Sequence, residues 1–153
     1  MSEQTIDAGR QGALDLRRYQ NPQIVREALA NAKTIAVVGL SPNPMRPSNP
    51  VAAYLQRHGY RIVPVNPNET EILGETCYAS LSDIPFPVDI VDVFRQPGAV
   101  PGIAEDAVKI GAQTIWLQLD VISPEGVAIA ERGGLTVVMD LCIMVEHRRY
   151  FGA

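Results

Sequence analysis

The sequence predicts an α/β protein built on an open, mostly parallel, doubly wound sheet of five strands with helices on both faces. Three observations carry that expectation. Five short runs, Thr34–Val38, Tyr60–Val65, Val88–Phe94, Thr114–Leu119 and Leu135–Met139, are largely apolar and rich in β-branched residues, as strands covered on both faces must be. Most of the intervening segments carry apolar residues at helical spacing. Turn and cap residues punctuate the joins. Strand and helix in alternation, with right-handed crossovers, give a doubly wound sheet.

Taken in order, residues 1–20 are polar and without a clear period, and are expected as a loose N-terminal arm with a short helical turn at Leu14–Arg18. The folded domain then spans residues 21–153. Asn21-Pro22 is an N-cap followed by the first helical position, and Ile24, Val25, Ala28, Leu29 and Ala32 repeat at helical spacing, so a helix runs from Pro22 to Ala32. Thr34–Val38 is the first strand, and Gly39 ends it where a tight turn needs a residue without Cβ. A loop with Ser41, Arg46, Ser48 and three prolines follows. Asn49 and Pro50 fit a second N-cap and first helical position, with Val51, Ala52, Tyr54 and Leu55 as the apolar face and Gly59 as the stop.

Tyr60–Val65 is the second strand, ended by the turn residues Asn66-Pro67-Asn68. Residues 69–87 read as a connector, with short apolar patches at Ile72–Gly74 and Thr76–Tyr78 and a short helix over Ser80–Ile84 that Pro85 stops. Val88–Phe94 is the third strand, with Arg95-Gln96-Pro97 at its carboxyl end. Val100, Ile103, Ala104, Ala107 and Val108 then give a helix that stops at Gly111. Thr114–Leu119 is the fourth strand, with Trp116 and Gln118 on one face. Ser123-Pro124 caps a helix that runs to Gly133-Gly134. After the fifth strand, Leu135–Met139, Asp140 is expected to cap a final helix over Leu141–Tyr150.

Length and composition bound the function. The 153 residues suit one domain with a sizeable core. The formal charge of −4 gives no support for broad nucleic-acid binding, although local donors can still hold an anion. No apolar run is long enough to cross a membrane, and the N-terminus, MSEQTIDAGRQG, lacks the apolar centre of a signal peptide. Cys77 and Cys142 are the only cysteines, with nothing of a secreted scaffold about them, so reduced thiols and a cytoplasmic location are expected.

Ligands of doubly wound sheets bind beyond the carboxyl ends of the strands. Five segments map to that edge: Gly39–Ser48, Asn66–Asn68, Arg95–Gly98, Asp120–Ser123 and Asp140–Cys142. A strand that feeds a helix through the first of them offers backbone N–H groups and a helix dipole to a phosphate. Ser41, Ser48 and Arg46 add side-chain donors, and Arg95 reaches the same edge from another loop. Cys142, read as the second residue of the last helix, sits where a thiolate is favoured, or else is a small buried residue. Cys77 reads only as buried. Trp116 and Tyr54 read as core or cleft wall, and neither His58 nor His147 takes a catalytic role. Metal-ligand spacing, a G-x-S-x-G elbow and a P-loop are all lacking. The first loop keeps one glycine of G-x-G-x-x-G, and Asn66 stands where an NAD site usually places an acid.

The run AVVGLSPNPMRPSNPVAAYLQRHGYRIVPVNP resembles the small stand-alone CoA-binding domain proteins of the YccU-like family. So do GETCYASLSDIP, VDIVDVFR, TIWLQL and VVMDLCIMVEHRR. That family is similar to the CoA-binding domain of the succinyl-CoA synthetase α subunit. The resemblance implies a Rossmann-like, nucleotide-binding domain that holds coenzyme A by its ADP part. It implies Gly39, Ser41, Arg46 and Ser48 at the phosphates, Val65, Asn66 and Pro67 along the adenosine, and Phe94 with Arg95 closing over it. Trp116, Gln118 and Cys142 match positions nearer the thiol end. Asp120 departs from the pattern, which has glycine there. The implied function is a module that binds CoA or acyl-CoA without chemistry of its own, with no catalytic residue, no metal and no identified protein partner. The alternatives are an NAD(P)-dependent oxidoreductase, which the loop disfavours, and an accessory part of an acyl-CoA ligase. A mixed disulfide between Cys142 and CoA under oxidation is a further possibility.

Overall fold

A computed structural model describes residues 14–152. Its strands are β1 (Thr34–Val38), β2 (Arg61–Val65), β3 (Glu71–Ile72), β4 (Glu75–Thr76), β5 (Ile90–Val93), β6 (Thr114–Leu117) and β7 (Thr136–Met139). Its helices are α1 (Pro22–Asn31), α2 (Ser48–Arg57), α3 (Val100–Lys109), α4 (Pro124–Arg132) and α5 (Ile143–Phe151). The main sheet has five strands in the order β2-β1-β5-β6-β7, every neighbouring pair parallel. Register sets Ile35 of β1 opposite Ile62 on one side and Ile90 on the other. This is the doubly wound, Rossmann-like α/β sheet that the sequence predicts.

Alternation along the strands divides the core in two. Ile35, Val37, Ile62, Ile90, Trp116 and Val138 pack with Val25 and Leu29 of α1, Val51 and Leu55 of α2, and Ile143 of α5. On the other face Ala36, Val38, Val91, Val93, Ile115 and Leu117 pack with Val100 and Ala104 of α3 and Val127 and Ala130 of α4. A cluster of polar aromatics ties α2 to α5: the Tyr54 hydroxyl and His147 Nδ1 share a hydrogen bond of 2.9 Å. His58 Nδ1 bonds the Tyr54 carbonyl, which also accepts from the His58 amide at the end of α2.

Two caps form as expected. The Asn21 side chain accepts from the amides of Gln23 and Ile24, and Ser123 Oγ accepts from the Gly126 amide. Two do not. Helix α2 starts at Ser48, after Pro47, with no side-chain cap; Asn49 lies inside its first turn, and its amide group donates to the Ser41 carbonyl. Asp140 lies outside α5 with φ +62°, so Cys142 is the N-cap rather than the second helical residue. Ile24 is expected on the apolar face of α1 but is 41% exposed. The third strand is shorter than expected, so Phe94 falls in the loop beyond it.

The connector folds back on itself. β3 and β4 form a small antiparallel hairpin, and the carbonyl and amide of Tyr78 pair with Asn66 and Pro64 beside β2. The expected loose arm lies outside the described residues up to residue 13. From Leu14 on it is docked: a 3₁₀ turn at Leu16–Tyr19 buries Tyr19, and Gln20 donates to the Met139 carbonyl. Among the described residues no helix is long and apolar enough to cross a membrane.

Candidate functional site

The strand order reverses between β1 and β5. The connection leaving β1 runs through α2 towards β2, while the one leaving β5 runs through α3 towards β6. The two loops therefore diverge, and a crevice opens beyond the carboxyl ends of the strands. It is a cleft of about 770 Å³. Of the expected site residues, Gly39, Ser41, Arg46 and Ser48 line it from the β1 loop, and Phe94 and Arg95 from the β5 loop. Gln118 follows β6 and Cys142 follows β7 into the same space.

Gly39 is fixed by two constraints. Its φ is +87°, and a Cβ there would collide with the Phe94 carbonyl oxygen and fall 2.9 Å from Cδ of Arg95. The close approach that demands glycine is thus between the two loops, and it lays the Arg95 stem across the turn.

The loop from Leu40 to Ser48 is held from inside. The Ser41 amide donates to Ser48 Oγ, the Asn43 amide to Ser41 Oγ, and the Met45 amide to Asn43 Oδ1, at 2.9–3.1 Å. The Arg46 amide donates to the Asn43 carbonyl and the Gly39 amide to the Val65 carbonyl. Prolines at 42, 44, 47 and 50 have no amide hydrogen. The cradle of backbone N–H groups expected from the sequence is therefore largely spent on the loop's own structure. The donors left for an anion are the Leu40 and Ser48 amides, the latter at the start of α2, the two serine hydroxyl hydrogens, and the guanidinium groups of Arg46 and Arg95. Both arginines are exposed on the cleft, and neither makes an ion pair or side-chain hydrogen bond among the described residues.

Four expected residues stand elsewhere. Trp116 is fully buried, its indole N–H donating to the Leu141 carbonyl at 2.8 Å, so it supports the site from within the core. Val65 is buried at the end of β2, Asn66 donates to the Leu40 carbonyl, and Pro67 is exposed beside it. They flank the first loop rather than line the cleft. Asp120 does line it. With φ +67° it occupies a conformation that favours glycine, and its amide is held by Asp140 Oδ1 at 2.7 Å.

Sequence reasoning missed Asp92. It lies in β5 between Val37 and Trp116 and is wholly buried. Gln118 Nε2 donates to its Oδ1 at 2.6 Å, while Oδ2 has no partner. Burial pushes the Asp92 carboxyl up to about 7, against the pull of the Gln118 hydrogen bond. The signal was a carboxylate in the run IVDVF, at a strand position with no solvent on either face.

The fold and the cleft together define a doubly wound α/β domain with two arginines and an open crevice at its switch point. Comparison with known proteins narrows the class. Residues 33–148 match the family model described as CoA binding domain, and the chain belongs to that family. It is 43% identical over 130 residues to the uncharacterized protein YneT of Bacillus subtilis, covering 84% of this chain and 96% of that one. A hypothetical protein of known structure from Pyrococcus horikoshii superposes with a TM-score of 0.84 at 41% identity, covering 86% of this chain and 93% of the other. An ADP-forming acetate–CoA ligase of Archaeoglobus fulgidus is 28% identical over 127 residues; these are 76% of this chain but only 18% of the ligase.

Proposed function

We propose that this protein binds coenzyme A or an acyl-CoA in the cleft between the β1 and β5 loops, as a module with no chemistry of its own. The observation that carries the reading is the pair of guanidinium groups, Arg46 and Arg95, that line one open cleft and have no acceptor among the described residues. Coenzyme A carries a diphosphate and a further ribose phosphate, and such groups form charge-assisted bonds to arginine. The serine hydroxyls lie on the same loop. Phe94 lines the same cleft with its carbonyl against Gly39, and Asn66 and Pro67 flank the first loop, where an adenosine would extend. An NAD site is less well matched, because the second strand ends in Asn66 rather than an acid.

A second reading is an accessory role in acyl-CoA ligation, favoured by the partial likeness to the acetate–CoA ligase. On that reading the chain would need the remaining ligase domains from a partner. Denaturing the purified protein and identifying released small molecules by mass spectrometry separates the readings. CoA or a CoA thioester supports binding, and NAD(H) contradicts it. ATP-dependent thioester formation by the isolated chain would contradict the purely binding role.

A further inference from the structure

We propose that Asp92 is a positioning residue that turns the Gln118 carboxamide so that its carbonyl oxygen faces the cleft, and that the site thereby prefers a ligand end that donates a hydrogen bond, a free thiol, over a thioester carbonyl. The inference rests on the reading that a CoA-type ligand fills the cleft, and deepens it.

Gln118 is 4% exposed and lines the cleft beyond β6. One end of its carboxamide, Nε2, is committed to Asp92 Oδ1. The other, Oε1, has no partner among the described residues, yet Asp92 Oδ2 is the single fully covered side-chain polar atom without one among them. Oε1 therefore meets the space its residue lines. The two ends of a carboxamide have nearly the same shape, so the buried neighbour decides which faces out. An ionised carboxylate only accepts, and it holds the NH₂ group inward. A protonated one can donate to Oε1, which lets the amide turn and present N–H to the cleft.

Among the described residues Asp92 has no hydrogen-bond partner but Gln118. α2 brings Tyr54 and His58 to this face of the sheet, and α5 brings Glu146 and His147, with Cys142 as its N-cap. Tyr54 bonds His147, His58 bonds the Tyr54 carbonyl, and Glu146 pairs with Arg149. Arg46 and Arg95 are exposed on the cleft, as are Asp120 and, half-buried behind it, Asp140. None of these groups hydrogen-bonds Asp92. Its carboxyl, pushed up by burial, changes charge near neutral pH. Above that point the cleft presents an acceptor, and below it a donor becomes available.

The test is calorimetric titration of CoA, acetyl-CoA and 3′-phosphorylated ADP into nucleotide-free protein at pH 6 and pH 8, for the native chain and Asp92→Asn. One hydrogen bond exchanged for a mismatch is worth roughly three- to tenfold in affinity. The preference for CoA over acetyl-CoA is expected to fall by about that factor from pH 8 to pH 6 in the native chain. In Asp92→Asn it should not change with pH. Titration of the ligand phosphates and of the protein histidines affects both ligands alike and cancels in the ratio. The phosphorylated ADP, which lacks the thiol arm, should bind both proteins equally. If it binds while the native preference stays constant with pH, the Asp92 proposal is overturned and the functional reading stands. If none of the three ligands binds, both fall.

Discussion

At Asp92 burial and charge oppose each other, and the sign of the outcome follows from linkage. Its carboxyl moves from an ordinary 3.8 to about 7 on folding. Between those values the native chain holds a proton that the unfolded chain has lost, so stability falls as pH rises through the window and stays low above it. The full difference is on the order of 4 kcal/mol. Asp92→Asn removes the titration. Relative to pH 4, its stability advantage over the native protein should grow by about that amount by pH 8, measured by urea unfolding across the range. A constant difference would show that Asp92 ionises as easily folded as unfolded. His147, held below its ordinary value by burial and then by His58, works in the opposite direction, with stability lost as pH falls. It is present in both proteins and drops out of the comparison.

At the scale of elements, the β1 loop is a small self-bonded structure, and Ser48 is its clasp. Ser48→Ala removes the acceptor of the Ser41 amide and should cost about 1 kcal/mol of stability. It should also weaken CoA severalfold, by loosening the loop that carries Arg46 and by removing a hydroxyl that lines the cleft. Asn21→Ala, at the cap of α1, should cost about the same stability and leave CoA affinity unchanged. Equal affinities for the two variants would mean that the loop does not shape the site. The same comparison shows what the sequence could convey. Asn21-Pro22 and Asn49-Pro50 are the same dipeptide, yet only the first is a cap, because α2 already begins at Ser48 and Asn49 lies inside its first turn, its amide group turned to a carbonyl eight residues back. Asp140 looks like a cap but turns left-handed to hold the Asp120 amide. The two-residue strands β3 and β4 are too short to show any period. Strand cores and helix faces depend on local spacing and were legible, whereas caps and loop bonding depend on partners distant in the chain.

At the scale of the molecule, the strand order does the positioning. Parallel strands send all their carboxyl ends to one edge, and the reversal between β1 and β5 parts the two loops that carry Arg46 and Arg95. The edge where the strands end could therefore be read from the sequence, although Asn66–Asn68, expected there, flank the first loop rather than line the cleft. What could not be read is how the space is shared: the contact between Gly39 and the Phe94 carbonyl, the withdrawal of Trp116 into the core, and the acid beneath Gln118 all arise from packing between strands. The match to the CoA binding domain family over residues 33–148 covers this whole arrangement, while the N-terminal segment that docks Tyr19 beneath α4 lies before it. The most direct test is the affinity of nucleotide-free protein for CoA, NADH and ATP, measured for the native chain and for Arg46→Ala combined with Arg95→Ala. Each charge-assisted contact is worth roughly tenfold or more. The account expects CoA to bind at least about tenfold tighter than NADH or ATP, and the double variant, with unchanged stability, to lose about a hundredfold in CoA affinity. CoA binding no tighter than NADH, or undiminished in the double variant, would contradict it.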